Sequence, residues 1–444
     1  MKLDKQAAAG CDWLTTAPTP AMARAPALGW RGRGVALGML GALMFLLAVV
    51  GYLPLTHGLT HQGRSFIDNV FPFWAWSRFL HETEIPAHLY DFSSLDAFQH
   101  RIDPGYRGRL PFAYPPSFLL LLWPLGLLAL KPAYAAFLGV NLAAYVAATW
   151  QRGWGRLSAA LALTAPSTVL AVTEAQTSLL VAALLFTGCR LVGRRPILAG
   201  VLFGLMSFKP QFGLLVPVAL VSAREWRCFA AAGATVLLSI LASGLAFGWA
   251  TWVALPGALR YLGSFILGIH GFDLRCPTVV AGLHLLGAGP GIAQIGQACA
   301  ILATGITIFL CFRRGFSPLA SAALMVGAFF TTPYAGLYDL PIVTCSVLCV
   351  WLAAQQDGSP LRAWEYAIMA AVIVMPYVLF VAPPREPYGV ALLLLLFGLI
   401  LRRTVVSHTE GSADRTAGKE RRTHGRAAVG PEITRLTVHA GLAE

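Results

Sequence analysis

An all-α polytopic membrane protein is predicted, and three observations predict it. Hydrophobic residues make up 57% of the chain and charged residues only 12%, against about 25% charged in soluble domains. Apolar stretches close to the roughly 20 residues that span hydrocarbon recur along almost the whole length. Nothing alternates with period two over barrel-length strands, so helices are left as the way to pair backbone groups in lipid. The same pattern predicts about twelve transmembrane helices and one long polar interruption, from Gly63 to Pro116.

The net charge of +13 does not point to nucleic acid. Lys and Arg lie mostly at span ends and in the tails, which is the positive-inside arrangement of membrane proteins. Most of the 8 cysteines lie in or beside apolar spans: Cys189, Cys228, Cys299, Cys311, Cys345 and Cys349. They read as small buried hydrophobes. Only Cys276 is expected outside, so no disulfide framework is expected.

Residues 1–33 are rich in Ala and Pro and are expected to form a disordered cytoplasmic tail. Met22 is an alternative start. A first helix is expected at 34–55, led by Arg24, Arg31 and Arg33. A first extracytoplasmic loop, 56–112, follows. It is expected to carry short interfacial helices, since F-P-F-W-A-W-S-R-F-L offers aromatics to a membrane surface.

Further spans are expected at 113–130 and 133–150, with a tight turn at Lys131-Pro132 between them. Residues 151–173 carry Arg152, Arg156 and Pro166 and read as a re-entrant or interfacial piece. The fourth span, 174–191, ends at Arg190, Arg194 and Arg195. Two short helices, 196–208 and 211–222, then keep Arg194-Arg195 and R-E-W-R (224–227) on one side. They leave Lys209 at an outer turn, where Pro210 biases it away from helix.

The remaining spans are expected at 228–247, 290–311, 317–332, 339–354, 364–382 and 388–401. A second outer segment, 248–289, carries Trp249, Trp252, Arg260, Tyr261, His270, Asp273 and Arg275. The membrane domain is thus 34–401, followed by a basic, disordered cytoplasmic tail, 402–444, that starts at Arg402-Arg403. Both termini are expected inside.

Several residues at the outer interface could carry chemistry. Asp68 is either a general base, helped by partial desolvation among aromatics, or a helix cap or surface charge. Lys209 is either a phosphate-binding cation or a snorkelling turn lysine. Glu174 and Gln176 open the fourth span, where an acid complements the helix dipole and Gln176 could bond a sugar hydroxyl. Asp339, with Tyr334 and Tyr338, starts a helix or walls a site. F-A-Y-P-P-S, around Tyr114, is a rigid lead into a helix. Gly200 and Gly204 form G-x-x-x-G, which favours close helix packing. No nucleotide, zinc or nucleophile-elbow motif is present; a membrane enzyme without a nucleotide site can draw on a lipid-linked donor instead.

These features in order resemble glycosyltransferase family 87, of the GT-C class. The matching pieces are S-F-I-D-N-V-F-P-F-W-A, L-Y-D, F-A-Y-P-P-S, E-A-Q-T-S-L-L, L-A-G-V-L-F-G-L-M-S-F-K-P-Q with R-E-W-R, and T-P-Y…Y-D-L, over about 60–345. The resemblance implies a polyprenyl-phosphate sugar as donor, notably polyprenyl-phosphomannose, and a glycan or glycolipid acceptor. It implies an extracytoplasmic site in a bacterial-type inner membrane. It implies Asp68 as the base of an inverting transfer, with Lys209, aided by Arg78, on the departing phosphate. Gln176, Tyr114, Glu174, Tyr334 and Asp339 would complete the donor site. No metal or other cofactor is called for. Two departures stand out: Ala175 replaces the family's usual Gly before the Gln, and Tyr334 stands where His is frequent.

A transporter or flippase is the alternative. It should show polar breaks at the midplane in two related halves; here the breaks lie towards one surface and no halves match.

Overall fold

The computed structural model describes residues 70–106, 110–150, 155–267, 273–381 and 385–406. Among them every regular element is a helix. The expected tail at 1–33, the first helix at 34–55, Asp68, Arg152, His270 and the chain beyond Val406 lie outside the described residues.

Helix α1 (Phe71–Glu82) starts with Pro72 in its first turn, where no donor is lost. Its aromatics do not face a membrane surface as expected. Phe71, Phe73, Trp76 and Phe79 are buried within the protein, and burying such a ring is worth roughly 2 kcal/mol. The amphipathic pattern was met by protein instead of lipid: the 3₁₀ turn Trp123–Leu127 lies against it. Ser77 Oγ donates to Leu122 O at 2.7 Å and accepts from Gly126 N–H at 2.8 Å. A 3₁₀ turn, Pro86–Tyr90, leads to α2 (Phe92–Ile102). Asp91 caps α2, and the hydroxyls of Ser94 and Ser93 hold its carboxyl below the usual range.

The second expected span is shorter than foreseen. Pro115 and Pro116 delay α3 to Ser117–Leu122, and Pro124 and Gly126 turn it into the 3₁₀ segment at once. Helix α4 (Leu130–Thr149) takes Lys131-Pro132 into its first turn, so the chain reverses just before them. Residues 155–173 form two short helices, α5 (Gly155–Thr164) and α6 (Pro166–Thr173).

Helix α6 ends where a span was expected to begin. Ala175 adopts a left-handed φ of 47°. Gln176 N–H bonds to Ala171 O and Ala175 N–H to Val172 O, which is the double bond of a Schellman stop. Glu174 is therefore the C-cap of α6 and not a first-turn acid. Helix α7 starts later, at Ser178–Leu191.

Helix α8 (Pro196–Leu205), the 3₁₀ turn Met206–Phe208, α9 (Pro210–Gly213) and α10 (Val216–Ser222) form the expected pair of short helices broken at Lys209. Helix α11 (Trp226–Phe247) packs on α8 through G-x-x-x-G. A Cβ on Gly204 would sit 2.5 Å from Thr235 Cβ, and one on Gly200 would strike Cys228 O. The segment read as an outer loop contains an 18-residue helix, α12 (Ala250–Leu267), and α13 (Val279–Leu285). Phe92 stacks on Tyr261 of α12 at 5.0 Å.

Helices α14 (Pro290–Phe312), α15 (Pro318–Thr331), α16 (Pro341–Gln356), α17 (Ala363–Val381) and α18 (Tyr388–Val406) complete the fold. The last runs five residues beyond the expected end. Six of the described helices are long and apolar enough to cross a membrane, and five shorter apolar helices accompany them. Their partners differ. The α16 span is 94% buried by protein, whereas α11 is 17% and α14 22% buried. Leu237, Leu241 and Leu245 of α11 and Ile292, Ile295 and Leu302 of α14 are left for lipid. The chain is a multi-pass helical membrane protein with α16 at its centre.

Candidate functional site

Three interruptions of the helices converge around one buried ion pair. The first is the start of α7 at Ser178. The second is the bend at Lys209, held at φ −124° and ψ 70° by the proline that follows. The third is the 3₁₀ turn Leu337–Asp339, which Pro341 ends by opening α16. Each break leaves backbone and side-chain polar groups at membrane depth, which is tolerated only inside protein.

Lys209 Nζ donates to Asp339 Oδ1 at 2.9 Å and to Ser178 Oγ at 3.2 Å. The Ser178 hydroxyl donates to the same Oδ1 at 2.5 Å. The other carboxylate oxygen, Oδ2, accepts Gly336 N–H at 3.0 Å. Lys209 is 4% and Asp339 2% exposed. A lone buried ammonium would tend to lose its proton. Here the carboxylate at 2.9 Å offsets that cost, and neither charge stands uncompensated.

Tyrosines surround the pair. Tyr338 lies under the ammonium, its ring centre 5.7 Å from Nζ, and its hydroxyl meets that of Tyr334 at 2.6 Å. Tyr114 is close enough to feel the charges of both Lys209 and Asp339. Its phenol is protonated at neutral pH and can donate. Tyr90 fixes this segment by donating to Tyr114 O at 2.9 Å. An aromatic path then connects α1 to the lysine: Trp76 and Phe73 approach Tyr114 at 6.0 and 6.3 Å, Tyr114 meets Phe118 at 4.6 Å, and Phe118 stacks on Phe208 at 5.1 Å.

Of the residues singled out in the sequence, Lys209, Asp339, Tyr114 and Tyr334 therefore belong to one group. Gln176 is half-buried two residues before Ser178, its amide donating to Glu174 O at 3.2 Å. Arg78 is engaged elsewhere. It pairs with Glu82 at 2.7 Å and donates to Gly126 O. Asp68 lies outside the described residues. Sequence reasoning passed over Ser178, whose signal was a polar Thr-Ser step opening an otherwise apolar helix.

Helix direction sets the site apart from the basic clusters. Helix α7 runs from Ser178 to Arg190, α8 returns from Arg195 towards Lys209, and α10 leads on to Arg224. The cluster of Lys209 and the arginines thus lie at opposite ends of the same short helices. Fourteen residues of α7 span about 21 Å, less than the roughly 30 Å of hydrocarbon. A recessed site results. Among the described residues no group of three His, Cys, Asp or Glu side chains is arranged to hold a metal ion.

An ion pair and hydroxyls at the recessed end of a helical membrane bundle can bind an anionic headgroup and polyols. The sequence model of glycosyltransferase family 87 matches residues 112–338, more than half of the chain and the stretch that holds Tyr114, Ser178, Lys209 and Tyr334; it ends one residue before Asp339. No curated protein and no solved structure matches the chain. By the extent of that match, the chain belongs to glycosyltransferase family 87.

Proposed function

We propose that this membrane glycosyltransferase moves a hexosyl unit from a polyprenyl-phosphate sugar to an extracytoplasmic glycan or glycolipid, with inversion. The observation that carries the reading is Lys209. It is a buried ammonium at a bend between short apolar helices, and among the described residues two of its three N–H groups are taken, by Asp339 and Ser178. The third is left for an oxygen of the donor phosphate, where charge develops as the sugar departs. Mannose is the hexose that the family resemblance favours.

In this reading Asp68 takes the proton of the acceptor hydroxyl. It precedes Val70 by two residues, and Val70 caps the helix whose Phe73 and Trp76 rings meet Tyr114. Tyr114, Gln176, Glu174 and Tyr334 face the sugar, and Asp339 stands behind Lys209. Arg78 becomes a second cation by exchanging Glu82 for the phosphate. About twelve crossings of a bacterial-type inner membrane, with both termini cytoplasmic, put the basic clusters inside and the site outside.

The test is transfer by membranes that contain the full chain. They are supplied with labelled polyprenyl-phosphate hexoses in one set and labelled nucleotide sugars in another. Product formed directly from the lipid donor is expected; product from nucleotide sugars alone, or none at all, overturns the reading. Asp68→Asn should abolish transfer with the protein still present in the membrane, and a wild-type rate in that variant removes the base assignment.

A further inference from the structure

We infer that Ser178 and Asp339 are positioning residues that keep Lys209 charged and aimed, and that Asp339 is not a sugar ligand or a base. The inference rests on the donor-phosphate reading of Lys209 and adds residues to it. Both oxygens of Asp339 are committed. Oδ1 receives the Lys209 ammonium and the Ser178 hydroxyl, and Oδ2 receives Gly336 N–H. A carboxylate so engaged, with one acceptor position left on Oδ2 and only 2% exposure, offers an incoming hydroxyl little approach.

The arrangement fixes the direction of the ammonium. Its two bonds go to groups on two different breaks of the chain, α7 and the turn before α16. With Phe208 stacked on Phe118 before it and the Phe212 ring 6.0 Å from Nζ after it, the side chain has little room to turn. The remaining N–H then points away from Asp339 and Ser178. The pair also sets the charge. Among the described residues the other titratable groups near Lys209 are phenols, Tyr114 and Tyr338, and Tyr334 and Cys276 are near enough to Asp339 to feel its charge. None of these carries charge at neutral pH, so among the described residues Asp339 is the charged partner of the buried ammonium, with the Ser178 hydroxyl as its second acceptor.

The test compares the pH dependence of transfer in the full-length wild type, Asp339→Asn and Ser178→Ala in membranes. The wild-type rate should show no loss attributable to Lys209 between about pH 6 and about pH 9, because the partner carboxylate is in place. In Asp339→Asn the amide cannot replace the charge, the lysine gives up its proton within that window, and transfer should fall at least about tenfold as pH rises. Ser178→Ala should drift the same way by about threefold, since it removes one neutral hydrogen bond. A uniform loss at every pH in Asp339→Asn, parallel to wild type, overturns the inference, because a purely structural role would give that result.

A second measurement does not depend on catalysis. Melting temperatures are compared for Lys209→Met, Asp339→Asn and the double variant. Each single variant leaves a buried group without its partner, so the double variant should melt nearer to wild type than the sum of the singles. Strictly additive losses overturn the pairing. If the wild type transfers nothing from any donor, the functional reading fails while this cycle still decides the pair.

Discussion

Two buried ion pairs sit in different parts of this protein, and they are built differently. At Glu365, the carboxylate is closed on all sides. Arg403 grips it with Nε at 2.9 Å and Nη2 at 2.7 Å, Arg402 adds a contact at 3.4 Å, and Arg362 N–H donates at 2.8 Å. Arg403 also reaches Ser359 and Pro360 O. The cluster ties the start of α17 to the end of α18. A planar guanidinium in a fork leaves little for a ligand. At Lys209 the cation is a single point held by one carboxylate oxygen and one hydroxyl, among tyrosines and at a bend. The first pair is a clamp. Among the described residues the second has a donor to spare, and that difference separates a structural ion pair from a candidate site.

Substitutions can break or sharpen the contrast. The largest effect is expected at Lys209. Lys209→Met should lower transfer by on the order of 100- to 1,000-fold, as for loss of one group that stabilises developing charge. Glu365→Gln should instead leave the rate per folded molecule unchanged and cost about 3 kcal/mol of stability, because Arg403 loses its partner in a buried place. Initial rates and unfolding in detergent measure both. Full transfer by the first variant, or lost transfer by a folded second variant, erases the distinction.

A smaller effect is expected from Arg403→Lys, which keeps the charge and removes the fork. Its cost should be about 1–2 kcal/mol with transfer unchanged. Arg-like stability in that variant would mean that the fork geometry is irrelevant to the clamp. The smallest effect concerns the turn that delivers Ser178 to Lys209. Ala175→Gly relieves a left-handed φ and should stabilise by up to about 1 kcal/mol without lowering transfer. A destabilised variant would show that the Ala175 methyl, fully buried, contributes more through packing than it costs in backbone strain.

Much of the fold was legible in the sequence, and the misses have physical causes. The bend at Lys209-Pro210 was legible because proline forces it and two basic clusters bracket it. The close packing at Gly200 and Gly204 was legible from spacing. The aromatics of α1 were assigned to a membrane surface, since an amphipathic stripe looks the same whether lipid or protein covers it. The start of α7 was misplaced because Ala175 does the work usually given to glycine, so the helix stop carried no glycine to mark it. Helix α12 was read as loop because Trp249, Trp252, Arg260 and Tyr261 broke up its apolar run. At the site, Lys209 and Asp339 were each singled out, yet their pairing across 130 positions has no local signature.

The most direct test of the claim that Lys209 holds the donor phosphate is to map where a donor binds. Membranes with the full chain are irradiated in the presence of a polyprenyl phosphate carrying a photoreactive group beside the phosphate, and the modified residues are read by mass spectrometry. Modification should fall within 110–116, 176–178, 209–212 and 334–339, and should disappear in Lys209→Met. Modification confined to the lipid-facing surfaces of α11 and α14, or unchanged in Lys209→Met, would contradict it.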